Sequence, residues 1–370
     1  LKRILASILL ITMMLASTAH MAQASEDTLD IEKAAIKTIE NSQVLETYKK
    51  QVDLMRRNYA DAKGQMAQLR ALLPYFGTYD LVKSIILTPQ ALENYLTQFD
   101  GNQVVITNAV KISAYSGYID LLKADYAVIT QEDLMNSLYE DYKKVRLQHE
   151  QGMATETDLK LAEIAYQQTR YNYLSAQNSK DSAFMALNNM MGEEIAKKYS
   201  ILQDNNIVPS AEIQSLEEYT KQALASRVEI GTAQSNLELL KEQYRYGLAG
   251  VPTDYEFYKQ QQEYEIDKAQ NDLELASINV QQNIAEVYTG LESSVKKMEA
   301  MRYLAEQAES NYQAAQIRHE TSQITLIELN NAKIARVQAD INLKDAELDA
   351  WLMQITMDLA CGAGFQPKLN

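Results

Sequence analysis

The residues of this chain that could do chemistry gather at two places, in the same order each time. His149-Glu150 is followed by Asp158, and His319-Glu320 is followed by Glu328. An imidazole beside carboxylates is the raw material of general acid–base or metal chemistry. The chain holds 3 His in all, the other being His20. One imidazole per cluster makes no multi-His metal site within one chain. No Ser/His/acid order, phosphate-cradling loop or metal-ligand motif accompanies them. We therefore expect no catalytic residue, no metal and no cofactor. His149 and His319 read as capping or packing residues at helix ends, and the acids as solvent-facing. A single Cys, Cys361, makes no internal disulfide. A net charge of -15 disfavours a phosphate backbone as partner, so no nucleic acid is expected. It also disfavours adhesion to anionic lipid.

The elements that must position these clusters are long helices. The chain has 12 Gly and 5 Pro in 370 residues, about 5% against roughly 12% in an average protein. Turns and sheet rims need those residues. A first helix is expected from Asp30 to Leu73, with a break at Asn41-Ser42. Residues 74–109 read as irregular. Within them Thr88-Pro89 reads as a helix start for a short helix to Gln98. Val82 to Thr88 and Val104 to Thr107 are β-prone. Helix resumes from Val110 to Gln151. Gly152-Met153-Ala154 breaks it, and Thr155 with Asp158 forms a capping box for a helix ending at Gly192. A polar connector, residues 193–209, follows. Helix is then expected from Ala211 to Tyr246, a turn at Gly247 to Gly250, a helix from Tyr255 to Arg318, and a last one from Thr325 to Leu359. Helices this long imply coiled packing. Small residues recur at three-four spacing, and Tyr166, Tyr173, Lys180 and Arg336 interrupt that seam.

The chain is duplicated. Residues 110–192 align without a gap on 280–362, an offset of 170. Matching pairs include Tyr118/Tyr288, Leu134/Leu304, His149/His319, Thr155/Thr325, Ile164/Ile334 and Gly192/Gly362. The starts of the two halves correspond at an offset of 185, as in Ile31/Leu216 and Leu45/Ile230. The unit is a long helix, a tip and a long returning helix, built twice. The expected divisions are 1–24, 25–209 and 210–370. The first of these reads as an export signal: Lys2 and Arg3, an apolar run from Ile4 to Ala16, and an Ala22-Gln23-Ala24 cleavage site.

These residues resemble the outer membrane efflux protein family, the TolC-like channels. Leu29-Asp30-Ile31-Glu32-Lys33-Ala34 resembles the family's opening helix motif, and Leu216-Glu217-Glu218 with Arg227 through Ile230 its second copy. Gly152-Met153-Ala154-Thr155 with Asp158-Leu159 resembles the first hairpin tip. Ser322-Gln323-Ile324-Thr325 with Glu328-Leu329 resembles the second. Leu72-Leu73-Pro74 resembles the passage into the membrane barrel. The resemblance implies an all-α fold of long coiled-coil hairpins in two repeats, assembled as a homotrimer around a tunnel. It implies a passive conduit in the cell envelope, exported or outer membrane-associated, docking an adaptor protein and an inner or cytoplasmic membrane transporter. The docking residues it implies are Gly152, Met153, Ala154, Thr155, Asp158, Ser322, Gln323, Ile324 and Thr325. Glu328 and Asn331 would line the tunnel entrance. Ile324 stands where the family has a basic gate residue. Barrel strands need 9–11 alternating residues each, and the sequence lacks them. The expected fold is therefore a TolC-like α-barrel without a clear β-barrel. The alternative reading is a secreted coiled-coil envelope scaffold or adaptor derived from such a channel.

Overall fold

The computed structural model describes residues 28–71, 81, 83–250 and 254–365. The expected signal and the Leu72-Leu73-Pro74 passage lie outside these. In chain order the elements are β1 (Thr28–Leu29), α1 (Ile31–Asn41), α2 (Gln43–Arg70), a π-helical turn (Lys83–Leu87), α3 (Thr88–Glu150), α4 (Glu156–Met191), β2 (Ile201–Leu202), α5 (Leu216–Ser226), α6 (Val228–Gly250), α7 (Tyr255–Glu320) and α8 (Leu326–Cys361). β1 and β2 pair in parallel, Thr28 opposite Ile201 and Leu29 opposite Leu202. The buried Tyr118 hydroxyl shares its proton between the Leu29 and Gln203 carbonyls, 2.8 and 2.9 Å away, and so pins this pair to α3.

Local chemistry explains most of the helix ends. Ser42 caps α2 by accepting from the Leu45 amide, which makes Asn41-Ser42 the expected break. Thr155 and Asp158 form the expected capping box of α4. Gly192 ends α4 in the left-handed region, at φ 68°. A Cβ there would also collide with the Asn41 side chain at 2.4 Å. The connector that follows contributes β2.

Three expectations are corrected. The described residues between 83 and 109 are helical, not irregular. Thr88 does not cap a helix, because the π-helical turn runs straight into it; its hydroxyl donates instead to the Lys83 carbonyl. α3 then runs unbroken for 63 residues, through Gly101 and through Val104 to Thr107. Gly101 is tolerated because a Cβ there would meet Val228 Cγ1 at 2.6 Å, so its absence permits close helix packing. Val105 is buried, and that burial outweighs a weak β preference. Second, Ala211 to Tyr246 is two helices. The break is at Arg227, whose backbone is extended and whose guanidinium is buried. It donates to Asn283 Oδ1 at 3.0 Å, to the Ala360 carbonyl at 3.1 Å and to both Glu229 oxygens. Third, Gly247 to Gly250 is the last turn of α6, and only residues 251–254 separate α6 from α7.

The chain forms two compact units. The first comprises the described residues up to Asn41, Ser113–Ala211 and Ser294–Leu352. Here α4 packs on α3 through Tyr139, Tyr142 and Tyr166 and through Lys180 to Asp125. α8 packs on the other side of α3 through Tyr115–Trp351 and Lys333–Asp141. α7 packs on α8 through Arg336–Glu309 and Arg302–Glu347. The seam-interrupting Lys180 and Arg336 are thus cross-helix partners. The second unit comprises Ser42–Ile112, Glu212–Ser293 and Met353 onward. Its core includes Leu45, Leu87, Ile284, Leu291 and the Tyr219–Tyr288 pair. Cys361 is buried in it, donating to the Tyr219 carbonyl, and burial pushes its thiol up to about 11.

The described residues contain no strand beyond β1 and β2. Among the described residues no helix is long and apolar enough to cross a membrane.

Candidate functional site

Both tips are built from the same parts. At the end of α3 the Met153 amide donates back to the Gln148 carbonyl at 2.7 Å and the Gly152 amide to His149 at 2.9 Å. At the end of α7 the Gln323 amide donates to Arg318 at 2.7 Å and the Ser322 amide to His319 at 2.9 Å. This paired closure needs a left-handed residue. Gly152 supplies it with φ 73°, and Ser322 supplies it with φ 57°, the one positive-φ non-glycine among the described residues. His149 Nδ1 lies 3.0 Å from the Ala154 carbonyl oxygen, and His319 Nδ1 lies 3.2 Å from that of Ile324. Each imidazole therefore ties the last turn of its helix to the far side of the tip. This is the capping use expected of both, now seen as a matched pair.

The returning helices start on matched capping boxes. The Thr155 amide donates to Asp158 at 3.0 Å, and the Asp158 amide donates to the Thr155 hydroxyl at 3.1 Å. The Thr325 amide donates to Glu328 at 2.8 Å, and the Glu328 amide to the Thr325 hydroxyl at 3.2 Å. Hydrogen bonds from the Thr155 hydroxyl and then its amide hold the Asp158 carboxyl below its ordinary range. For Glu328 the Thr325 amide leads, with the hydroxyl next. Both acids stay ionised and turned toward their own threonine. Asn331 is exposed one turn further along α8.

A groove of about 680 Å³ opens in the first unit between the end of α3, the first turns of α4 and those of α8. Val145, Met153, Leu161, Ile164, Leu326 and Ile327 give it an apolar lining. Thr169 and Asn330 are buried along it. Of the residues expected from sequence, the groove brings together Met153, Ala154, Asp158, Thr325 and Asn331. Gly152, Thr155, Ser322, Gln323, Ile324 and Glu328 shape the tips without lining it. Sequence reasoning missed the apolar wall. The signal that could have found it is the Ile164/Ile334 match, since both isoleucines line this groove. Among the described residues no cluster of His, Cys, Asp and Glu could hold a metal.

No family model matches the sequence, and no curated protein matches it. Solved structures do match. A crystal structure of CusC, from work on folding and transmembrane channel formation, superposes with a TM-score of 0.65 at 13% identity, covering 90% of this chain and 92% of that one. The outer membrane protein VceC from Vibrio cholerae gives 0.62 at 13%, covering 91% and 97%. The open-state MtrE outer membrane channel of Neisseria gonorrhoeae gives 0.59 at 12%, covering 91% and 90%. The chain has the TolC-like fold. The likeness extends over about nine-tenths of each chain. The resemblance expected from the residues and the all-helical fold class are thereby shown.

Proposed function

We propose that this chain is the conduit subunit of an envelope efflux or export system, a passive channel with no chemistry of its own. One burial asymmetry between the repeats carries this reading. Leu134 and Leu304 occupy the same place in the repeat, yet Leu134 is 4% exposed and Leu304 51%. Along α4, Ile164, Tyr171 and Met185 are 59%, 71% and 45% exposed, while their counterparts on α8, Ile334, Ile341 and Ile355, are partly covered. α8 lies between α3 and α7, whereas α4 packs on α3 and meets only the short α1 at its far end. The side chains left open are those a further hairpin would cover. A second copy placing its α7 and α8 against α4 would repeat the in-chain packing, and such a head-to-tail contact makes a ring when its rotation closes. The fold shared with outer membrane channels supports a homotrimer, and an interior path follows from that ring.

In this reading the two repeats, 25–209 and 210–370, each supply one hairpin. The tip residues Gly152, Met153, Ala154, Thr155, Asp158, Ser322, Gln323, Ile324 and Thr325 present a docking surface to an adaptor protein, which in turn meets an inner or cytoplasmic membrane transporter. Glu328 and Asn331 stand at the tunnel entrance. The setting is the cell envelope, after export. Mass measurement with low-resolution electron microscopy tests the proposal. The expected result is an elongated trimer with a hollow axis, and a compact monomer sinks it. The shortness of the 251–254 connection favours a second reading, an envelope scaffold or adaptor derived from such a channel. A solid bundle without an axial path would select that one.

A further inference from the structure

Charged side chains from three helices meet in the first unit. Lys123 of α3 and Lys297 of α7 both reach Asp349 of α8; the Lys297 contact is 3.2 Å. α3 belongs to the first hairpin and α7 and α8 to the second, so Asp349 ties the hairpins together. Asp345 stands one turn before Asp349 on α8, and Asp120 stands one turn before Lys123 on α3. Three acids therefore face two lysines, and both lysines are committed to Asp349. Of the neighbouring charges, Lys344 pairs with Asp204 and lies over the Tyr126 ring, and Arg302 pairs with Glu347. Asp345 is half-buried. Its charge lacks full hydration and repels a like charge at the i, i+4 position.

We propose that this cluster is an acid-responsive clasp, in which one proton taken up at Asp345 tightens the hold of α8 on α3 and α7. Neutralising Asp345 brings the five groups to zero net charge and leaves Asp349 to the two lysines. Burial holds the Asp345 carboxyl above its ordinary range; Lys123 and Lys297 oppose that and Asp349 and Asp120 add to it. The folded chain therefore binds this proton more tightly than the unfolded chain. The stabilisation is complete below the unfolded-state value and is lost as pH rises through the folded one. Ionised, Asp345 weakens the junction; protonated, it restores the hold.

Asp345→Asn removes the charge while keeping size and shape. In thermal melts of the full chain, the variant is expected to melt about 2–4 °C above the parent at about pH 7.5. The gap should narrow as pH falls into the acid range, where the parent's Asp345 takes up its proton. Spin labels at Ile129→Cys on α3 and Glu299→Cys on α7, in a Cys361→Ser background, read the clasp directly. The parent's distance distribution should sharpen on acidification, and that of Asp345→Asn should be sharp throughout. Identical pH responses of the two chains, or a variant that melts below the parent at neutral pH, overturn the proposal. Neither readout depends on a tunnel, whose existence the mass measurement decides separately.

Discussion

Ser322 holds under strain the conformation that Gly152 adopts freely. An L residue in the left-handed region carries a penalty of roughly 1 kcal/mol, and Ser322 pays it because the Gln323–Arg318 and Ser322–His319 hydrogen bonds close only in that shape. Nothing lies within 4 Å of a Cβ built at Gly152, so backbone conformation alone separates the two tips. Ser322→Gly should therefore stabilise the chain by about 1 kcal/mol, and Gly152→Ser should destabilise it by a similar amount. Denaturant melts of the two single variants read this directly; shifts of the same sign would show that the tips are not equivalent turns. The capping box at Thr155 was legible in one copy of the sequence, because threonine followed three residues later by an acid is a local signal. The strained serine was legible only through the repeat, which sets Ser322 under Gly152. The histidine clamps were half legible. Their position at helix ends was readable, but the carbonyl each one meets lies across the tip and depends on the turn's shape.

Glycine is an ambiguous signal at the scale of elements, and the corrected elements follow from that. Read locally, Gly101 and Gly247 mark breaks. In the structure both lie inside helices, because each allows a neighbouring side chain to come close: Val228 against Gly101 and Tyr258 against Gly247. Sequence reports that a Cβ is missing but not whether backbone freedom or packing requires it. Gly64, inside α2, is the contrasting case, with nothing within 4 Å of a built Cβ. Gly64→Ala should stabilise α2 by about 0.5–1 kcal/mol, the ordinary helix-propensity gain. Gly101→Ala offers the same gain but drives a methyl into Val228, and overpacking costs about 1–3 kcal/mol. It should destabilise. Circular dichroism melts of the two variants should move in opposite directions, and parallel shifts would contradict the packing account. The Arg227 break was illegible for a related reason. The residues that hold its guanidinium, Asn283 and Ala360, are distant in sequence.

For the whole molecule, the repeat carried most of what could be read. It gave two hairpins and two tips before any contact was known, while the scarcity of Gly and Pro gave the helices. What it could not give is which copy of each matched side chain is covered, since Leu134 and Leu304 are the same residue in the same register. Coverage depends on neighbours, and only the structure shows α8 between α3 and α7 while α4, beyond the end that meets α1, lies beside α3 alone. The chemistry of the two junctions also differs. The in-chain junction between hairpins combines the Tyr115–Trp351 ring contact with two ion pairs, Lys333–Asp141 and Lys123–Asp349. The matched positions on the open side are Glu163 opposite Asn311 and Ser179 opposite Ser293, with Ile164, Tyr171 and Leu174 exposed between them and Met185 beyond. A contact made by that face rests on apolar burial, at about 25 cal/mol per Å², and not on charge. Assembly should therefore persist in about 1 M salt, where the Debye length is near 3 Å. Ile164→Asp or Leu304→Asp should release helical monomers, because each buries an unpaired carboxylate in the junction. Light scattering across a salt series, with circular dichroism to confirm folding, separates the possibilities: salt-driven dissociation would assign the contact to charge, and Asp variants that still assemble would place it on another face.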